Sequence, residues 1–270
     1  MDREHVATTK NIMTAPSNQD ILEQLRLRSS LVASKDGSQG LDVLSSLHQY
    51  INAYELTRTC IPSGAQVLDW GGGSGHFSYF LNKAGYATHI YAFDEPQFIQ
   101  QEIADGEITY RKANATEPVH IDYPDERFDA VCSIGVLEHV REIGGNERSS
   151  LQEISRLLKP GGVFLCYHFP NKGSWIELLA RHFGSYHHQY TYDQAMIHAI
   201  FKDVLQIQVC RRYALLPRNS LRRLPKFIAD NTFFARCFDF LDGILCSMLP
   251  WINQNWVIVA TKTIPSPAHS

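Results

Sequence analysis

Val67-Leu68-Asp69-Trp70-Gly71-Gly72-Gly73-Ser74-Gly75-His76-Phe77 is the stretch that decides the fold. An apolar run ends on a carboxylate, passes through a cluster of glycines, and reopens as an apolar helix at Phe77, Phe80 and Leu81. Glycine lets a backbone turn sharply and come close to a ligand, and the helix that follows offers free N–H groups. A dinucleotide-binding loop reads similarly, so the glycines alone leave the ligand open. The D-x-G-x-G-x-G spacing of Asp69, Gly71, Gly73 and Gly75 narrows it. A carboxylate just before the glycines repels a pyrophosphate and attracts a group carrying an ammonium or a sulfonium. The plainer reading has Asp69 only capping the loop.

A second carboxylate follows. His89-Ile90-Tyr91-Ala92-Phe93-Asp94 reads as a strand ending in Asp94, 19 residues past Gly75. A carboxylate about 20 residues on, at the end of the second strand, is placed to accept both ribose hydroxyls. The plainer reading is a surface Asp opening a turn before Pro96.

Around these segments, short apolar runs alternate with helical stretches: 66–69, 75–84, 89–93, 98–106, 108–112, 130–133, 147–158 and 163–167. Such alternation predicts a doubly wound, mostly parallel α/β sheet with its ligand at the carboxyl ends of the strands. Upstream, Ile21, Leu22, Leu25, Leu27, Leu31 and Val32 recur at helical spacing behind a cap at Asp20. Lys35 to Gly40 break that helix, and a second is predicted from Leu41 to Thr59. Downstream, helices are predicted at 175–183 and 192–201, strands at 204–213 and 256–262, and helix through most of 215–254. The chain thus divides into a loose N-terminus (1–18), N-terminal helices forming a substrate lid (19–60), a core domain (61–263) with insertions at 169–200 and 214–254, and a tail (264–270).

Composition is that of a soluble globular protein, with 44% hydrophobic and 20% charged residues in 270. A net charge of −3 provides no global positive field for nucleic acid, which is excluded as a partner. The six cysteines stand singly and form no C-x-x-C pair, so no metal or redox motif is expected, and Cys132, Cys166 and Cys210 read as buried thiols. No stretch reaches the roughly 18 apolar residues of a membrane span, and residues 1–20 lack a signal-peptide core. A cytoplasmic protein is expected, with any membrane contact peripheral.

Further motifs make the chain resemble the class I methyltransferases, in particular those acting on small molecules, lipids and sugars. Phe128-Asp129-Ala130-Val131-Cys132-Ser133 resembles the family's fourth strand, Val136-Leu137-Glu138-His139-Val140 the stretch after it, and Leu157-Leu158-Lys159-Pro160-Gly161-Gly162 the turn into the fifth. The resemblance covers residues 60–168. It implies a Rossmann-like seven-stranded methyltransferase fold with helical caps, and S-adenosyl-L-methionine as cofactor. By position, Asp69 and the backbone of Gly71, Gly73 and Gly75 would hold the methionine end and approach the ribose. Asp94 would take the ribose hydroxyls, supported by Glu95; Asn114 and Ala115 would lie near adenine; Ile134 and Gly135 would line the pocket. Asn114 departs from the family, which often has an Asp there; an amide can accept from an amine but carries no charge.

Methyl transfer from a sulfonium is an in-line displacement, so the enzyme aligns the acceptor and removes its proton. His139, after the fourth strand, reads equally as that base or as a pocket-wall residue. His168, off the end of the fifth strand, and His187, in Tyr186-His187-His188-Gln189-Tyr190, are expected at the acceptor. Adjacent histidines without nearby carboxylates make a poor metal site, and no metal is expected. His76 is expected to pack near the cofactor. No Asn/Asp-Pro-Pro-aromatic run follows Val131, which argues against nucleobase or glutamine acceptors and favours an oxygen on a small-molecule, sugar or lipid acceptor.

Residues 211–254 carry Arg211, Arg212, Arg218, Arg222, Arg223 and Lys226, then many apolar side chains. The favoured description is a helical cap whose apolar face packs on the sheet. Arg218 could bind an acceptor anion; peripheral membrane attachment is a third, less favoured reading. A homodimer through the N-terminal helices is also compatible with the sequence. The competing functions are a nicotinamide-dependent oxidoreductase and a non-catalytic methyltransferase-like binding protein.

Overall fold

The computed structural model describes residues 15–31, 41–184 and 187–264. Residues 1–14 of the loose N-terminus expected at 1–18, the helix break expected at 35–40, residues 265–270 of the tail expected at 264–270, and Tyr186 lie outside the described residues.

The alternating apolar runs form β1 (Gln66–Trp70), β2 (Ala87–Ala92), β3 (Ile108–Lys112), β4 (Phe128–Ile134), β5 (Leu158–Pro170), β6 (Gln206–Tyr213) and β7 (Asn255–Thr261). They join one sheet in the order β3-β2-β1-β4-β5-β7-β6. Pairing is parallel from β3 through β5, while β7 runs antiparallel between β5 and β6. The doubly wound, mostly parallel expectation holds. Strand order reverses between β1 and β4, so the loops leaving their carboxyl ends diverge and open a crevice there.

Period-2 alternation sends neighbouring residues to opposite faces. Val67, Ile90 and Leu165 join one buried cluster, and Leu68, Tyr91 and Phe164 join the other. Helices α1 (Asn18–Leu31), α2 (Leu44–Leu47), α3 (Ile51–Cys60), α4 (His76–Lys83) and α5 (Gln100–Ala104) accompany the first half of the sheet. Ile21, Leu22 and Leu25 of α1 are buried within this chain's own core. Helices α6 (Glu147–Leu157), α7 (Trp175–His182), α8 (Gln194–Phe201), α9 (Lys226–Ala229) and α10 (Thr232–Met248) follow. Among the described residues, no helix is long and apolar enough to cross a membrane.

Several boundaries differ from expectation for local reasons. Ser17, not Asp20, caps α1: its hydroxyl accepts the Asp20 N–H at 3.2 Å, and Asp20 accepts the Ser17 N–H at 3.1 Å. Order therefore begins before residue 18, and Arg58 fixes it by donating to the Pro16 carbonyl and the Asn18 side chain, each at 2.7 Å. β5 starts at Leu158 because Leu158 pairs with Phe128, while Lys159 to Gly162 bulge out before Val163 rejoins opposite Ala130. Arg211 and Arg212 belong to β6, not to the cap. The cap itself is broken into α9, α10 and short 3-10 turns at 218–223 and 250–252. Its apolar face does not pack wholly on the sheet: Phe233, Phe240, Leu241, Ile244 and Met248 are exposed.

Tyr54 of α3 stacks on Phe80 of α4 with ring centroids 3.7 Å apart, which ties the N-terminal helices to the glycine-loop helix. Phe80 is fully buried. Phe80→Ala is expected to cost about 3–5 kcal/mol of stability in urea unfolding, and a loss under about 1 kcal/mol would contradict this packing.

Candidate functional site

The glycine loop leaves β1 at its carboxyl end. Gly71, Gly73 and Gly75 adopt φ of +72°, +50° and +90°, which side chains with a Cβ avoid. Its underside is packed: a Cβ on Gly71 would come within 2.6 Å of Val136, on Gly72 within 2.5 Å of Ile90, and on Gly75 within 2.7 Å of Ile99. At Gly73 the nearest atom would be the Gly71 carbonyl oxygen at 3.8 Å. The loop is therefore braced on β2 and on the segments that follow β2 and β4, and open at Gly73, a cradle for a ligand that needs close backbone approach.

Asp69 stands behind this cradle. It is 1% exposed, accepts the Ser78 hydroxyl at 2.6 Å, and would lie 2.7 Å from a Cβ on Gly72. Burial pushes its carboxyl up to about 7, against which the Ser78 hydrogen bond pulls down. A cation arriving at the loop would favour the ionised form.

Beside the loop lies a cavity of about 210 Å³ lined by Trp70, Gly71, Tyr91, Phe93, Asn114, Gly135, Val136 and His139, among others. Trp70, bulky for its place in the motif, forms part of this wall and packs in the apolar cluster beneath. The Asn114 carbonyl accepts from the Thr116 N–H at 3.0 Å and its amide donates to Glu117 at 3.2 Å, so this side chain also shapes the turn after β3. Of the expected cofactor residues, Gly71, Asn114 and Gly135 line the cavity. Asp94, Glu95 and Ala115 are exposed just beyond the ends of β2 and β3, and Ile134 ends β4 half-buried. His139 is in the cavity wall, its Nδ1 2.9 Å from Glu142.

A second set of polar groups gathers at the carboxyl ends of β1, β4 and β5. His168 sits where the register of β5 against β7 shifts, and its φ is +68°. Such bulges re-aim side chains, and a non-glycine residue held in this region is strained. The Tyr213 hydroxyl accepts the His168 backbone N–H at 2.9 Å and lies 2.9 Å from Nδ1. In the tautomer with the imidazole proton on Nε2, Nδ1 accepts the Tyr213 hydroxyl proton. His76, first residue of α4, and Tyr50, just before α3, close over it, with Tyr50 ring centroids 4.5 Å from His76 and 5.4 Å from His168. Burial pulls His76 down to about 4 and His168 to about 3, so both are neutral near pH 7.

Glu138 turns inward from the 3-10 turn after β4 and is 3% exposed. Burial pushes its carboxyl up to about 8. Glu138 Oε2, His76 Nε2 and His168 Nε2 are all buried without a hydrogen-bond partner. Orphaned buried polar atoms cost about 1–3 kcal/mol each, and these three lie at the carboxyl ends of the parallel strands, the side of such a sheet where ligands bind.

Glu138 also supplies a pH test of this geometry. Its ordinary value is 4.5 and its folded value about 8. Between these the folded state keeps a proton the unfolded chain has lost, so this group's stabilisation is full below 4.5 and is lost as pH rises through 8. Glu138→Gln, which cannot ionise, is expected to melt progressively higher relative to wild type as pH rises from about 5 to about 9. A constant offset between the two melting curves would contradict the burial.

The remaining expectations separate. His187 is exposed, outside the cavity. His188 does have a carboxylate, contrary to the sequence reading: Glu177 lies 2.7 Å from its Nδ1 and accepts its backbone N–H at 2.9 Å. Glu138, His139 and His188 offer ligand atoms within 4.8 Å of one another, the donor set among the described residues that could hold a cation. Arg218 lines a different cavity of about 420 Å³, and its guanidinium is paired with Asp239. Sequence reasoning missed Tyr50, Tyr213, Glu177 and the role of Glu138; only Glu138 had a signal, inside a quoted motif.

Comparison with known proteins agrees with this architecture. A family model described as a methyltransferase domain matches residues 68–166. Curated relatives include a ubiquinone/menaquinone biosynthesis C-methyltransferase of Hydrogenovibrio crunogenus, 26% identical over 63% of this chain and 68% of that protein. Another is a ubiquinone biosynthesis O-methyltransferase of Paramagnetospirillum magneticum, 34% identical over 38% of this chain and 39% of that protein. This chain thus spans from about two fifths to two thirds of these relatives' lengths. Among solved structures, a Haemonchus contortus phosphoethanolamine N-methyltransferase bound to phosphomonomethylethanolamine and S-adenosylhomocysteine shares the fold. Its TM-score is 0.53 at 20% identity, covering 79% of this chain and 52% of that one.

Proposed function

We infer that this chain is a class I S-adenosylmethionine-dependent methyltransferase and that it methylates an acceptor carrying an ionisable hydroxyl, held between the glycine loop and α3. The observation that carries this reading is the buried, unpartnered trio of Glu138 Oε2, His168 Nε2 and His76 Nε2. The glycine cradle, packed beneath and open at Gly73, fits the cofactor. Asp69 would brace its cationic end from behind; Asp94, with Glu95, would take the ribose hydroxyls; Asn114, Ala115 and Ile134 would bound the base. Bound S-adenosylmethionine supplies a methyl group already activated on sulfur.

The chain's own task is to place the acceptor and hold its proton. His168 donates from Nε2 to the acceptor oxygen in the tautomer in which Nδ1 accepts from the Tyr213 hydroxyl. Glu138 Oε2 takes the hydroxyl proton in its ionised form, which burial makes the minor one below about pH 8, so turnover is expected to rise as pH approaches 8. His139, facing the other cavity and held by Glu142, bounds the cofactor site instead. The charged oxygen is then a nucleophile, or it passes its charge to a neighbouring ring carbon. The relatives named for O- and C-methylation are compatible with either outcome for a hydroxylated acceptor. Helices α1 to α3 act as the lid, with Tyr50 as its contact.

The test is methyl transfer from labelled S-adenosylmethionine to a panel of phenols, sugars, hydroxylated lipids, amines and thiols. Product from hydroxylated acceptors is expected. Product from amines or thiols alone would overturn the reading.

A further inference from the structure

Helix α10 is amphipathic in the wrong sense for a cap. Phe233, Cys237, Phe240, Ile244 and Met248 follow one another at helical spacing, so they share one stripe, and that stripe faces outward. Phe233 is 77% exposed, Phe240 73% and Met248 65%. Phe227 before the helix and Trp251 after it extend the exposure. Single exposed apolar residues are ordinary, but a continuous stripe along a whole helix marks an interaction surface.

The charges around the stripe say what covers it. Segment 214–254 contains three acidic residues, and each is taken up inside. Asp230 accepts the Leu44 N–H at 3.0 Å and pairs with Arg26 at 3.4 Å. Asp239 pairs with Arg218 and lies 2.7 Å from His48 Nδ1. Asp242 accepts the Leu215 and Leu216 N–H groups at 2.9 and 2.7 Å. The exposed charges of the segment are all positive: Arg222, Arg223, Lys226 and Arg236. A second copy of the chain would bring the same cations against these; an anionic surface complements them.

We propose that the outer stripe of α10, flanked by Arg222, Arg223, Lys226 and Arg236, docks this protein on an anionic lipid bilayer. The helix lies in the plane of the interface, with the phenylalanines and Met248 among the acyl chains and the basic groups at the phosphates. The sequence reading that made membrane attachment the less favoured alternative is revised here, because only the fold shows that the acidic residues turn inward. The proposal stands without the methyltransferase reading, since docking needs neither cofactor nor acceptor.

The experiment is co-sedimentation of the full chain with vesicles of phosphatidylglycerol and phosphatidylcholine, and with phosphatidylcholine alone. Binding to the anionic vesicles is expected, weakened by salt and about tenfold or more by F233S/F240S/M248S, with charge reversal R222E/R223E/K226E reducing it similarly. These side chains are solvent-exposed, so unchanged melting curves are expected to accompany both effects. As a second readout, Trp251 fluorescence should shift to the blue with anionic vesicles, a shift that W251F removes. Failure to bind anionic vesicles, or equal binding by the stripe variant, would overturn the proposal. So would a dimer in solution that the stripe variant dissociates, which would give the surface to a second copy.

Discussion

Glu138→Gln is expected to lower kcat by about 100-fold or more while leaving S-adenosylhomocysteine affinity within about threefold, the effect of losing a general base outside the cofactor contacts. Glutamine keeps the shape and the hydrogen-bonding length of the side chain but cannot take a proton. Glu138 is the group to change because it turns inward at 3% exposure with Oε2 unpartnered. His139, one residue on, faces the cofactor-side cavity. His139→Ala is accordingly expected to weaken cofactor binding more than it lowers turnover. The opposite pattern, with Glu138→Gln active and His139→Ala inactive at saturating cofactor, would return the base to His139. Kinetics at saturating S-adenosylmethionine, with affinity measured separately, distinguishes the two.

The second large effect is at the cradle. Gly73→Ala is expected to weaken S-adenosylhomocysteine binding by about 10- to 100-fold, or about 1.4–2.8 kcal/mol. The fold has room for the added methyl, since nothing but the Gly71 carbonyl oxygen lies within 4 Å of it, at 3.8 Å. What the methyl fills is the open edge where a ligand comes close. It also carries the cost of an alanine at φ +50°, about 1–2 kcal/mol of stability. Gly85→Ala is the control: φ there is +90° and nothing lies within 4 Å, so it carries comparable strain in the turn between α4 and β2. A loss of affinity in Gly73→Ala and none in Gly85→Ala locates the effect in the cradle. Equal affinities in both variants and wild type would remove Gly73 from the cofactor site.

The parts of this molecule that were legible in its sequence are those that local backbone chemistry encodes. Gly71, Gly73 and Gly75 announce positive φ, and all three adopt it. The apolar runs of β1 and β4 announce strands buried on both faces, and Val67 and Leu68, on opposite faces, are both fully buried. The candidate-site side chains were harder because adjacent residues in a turn point in different directions. Nothing in Val136-Leu137-Glu138-His139-Val140 says that Glu138 is buried while His139 stays half-exposed in the cavity wall; the 3-10 turn at 137–143 decides it. Tyr213 reaches His168 only because β7 inserts antiparallel between β5 and β6, a pairing across 45 residues that no local pattern records. Within the cap expected at 214–254, helix forms at 232–248 but its apolar face does not pack wholly on the sheet, because apolar periodicity tells that a face is apolar but not what it meets. The partners of Asp239 and Asp242 point those carboxylates inward and leave the phenylalanines outside.

The most direct measurement is calorimetric titration of S-adenosylmethionine and S-adenosylhomocysteine into the wild-type chain and into Asp94→Ala, with NAD as a control ligand. One-to-one binding of both by the wild type is expected, weakened about tenfold or more in Asp94→Ala by loss of the ribose carboxylate, with no heat from NAD. No binding of either compound by the wild type, or NAD binding in their place, would contradict the assignment of the cradle at 71–75 to this cofactor.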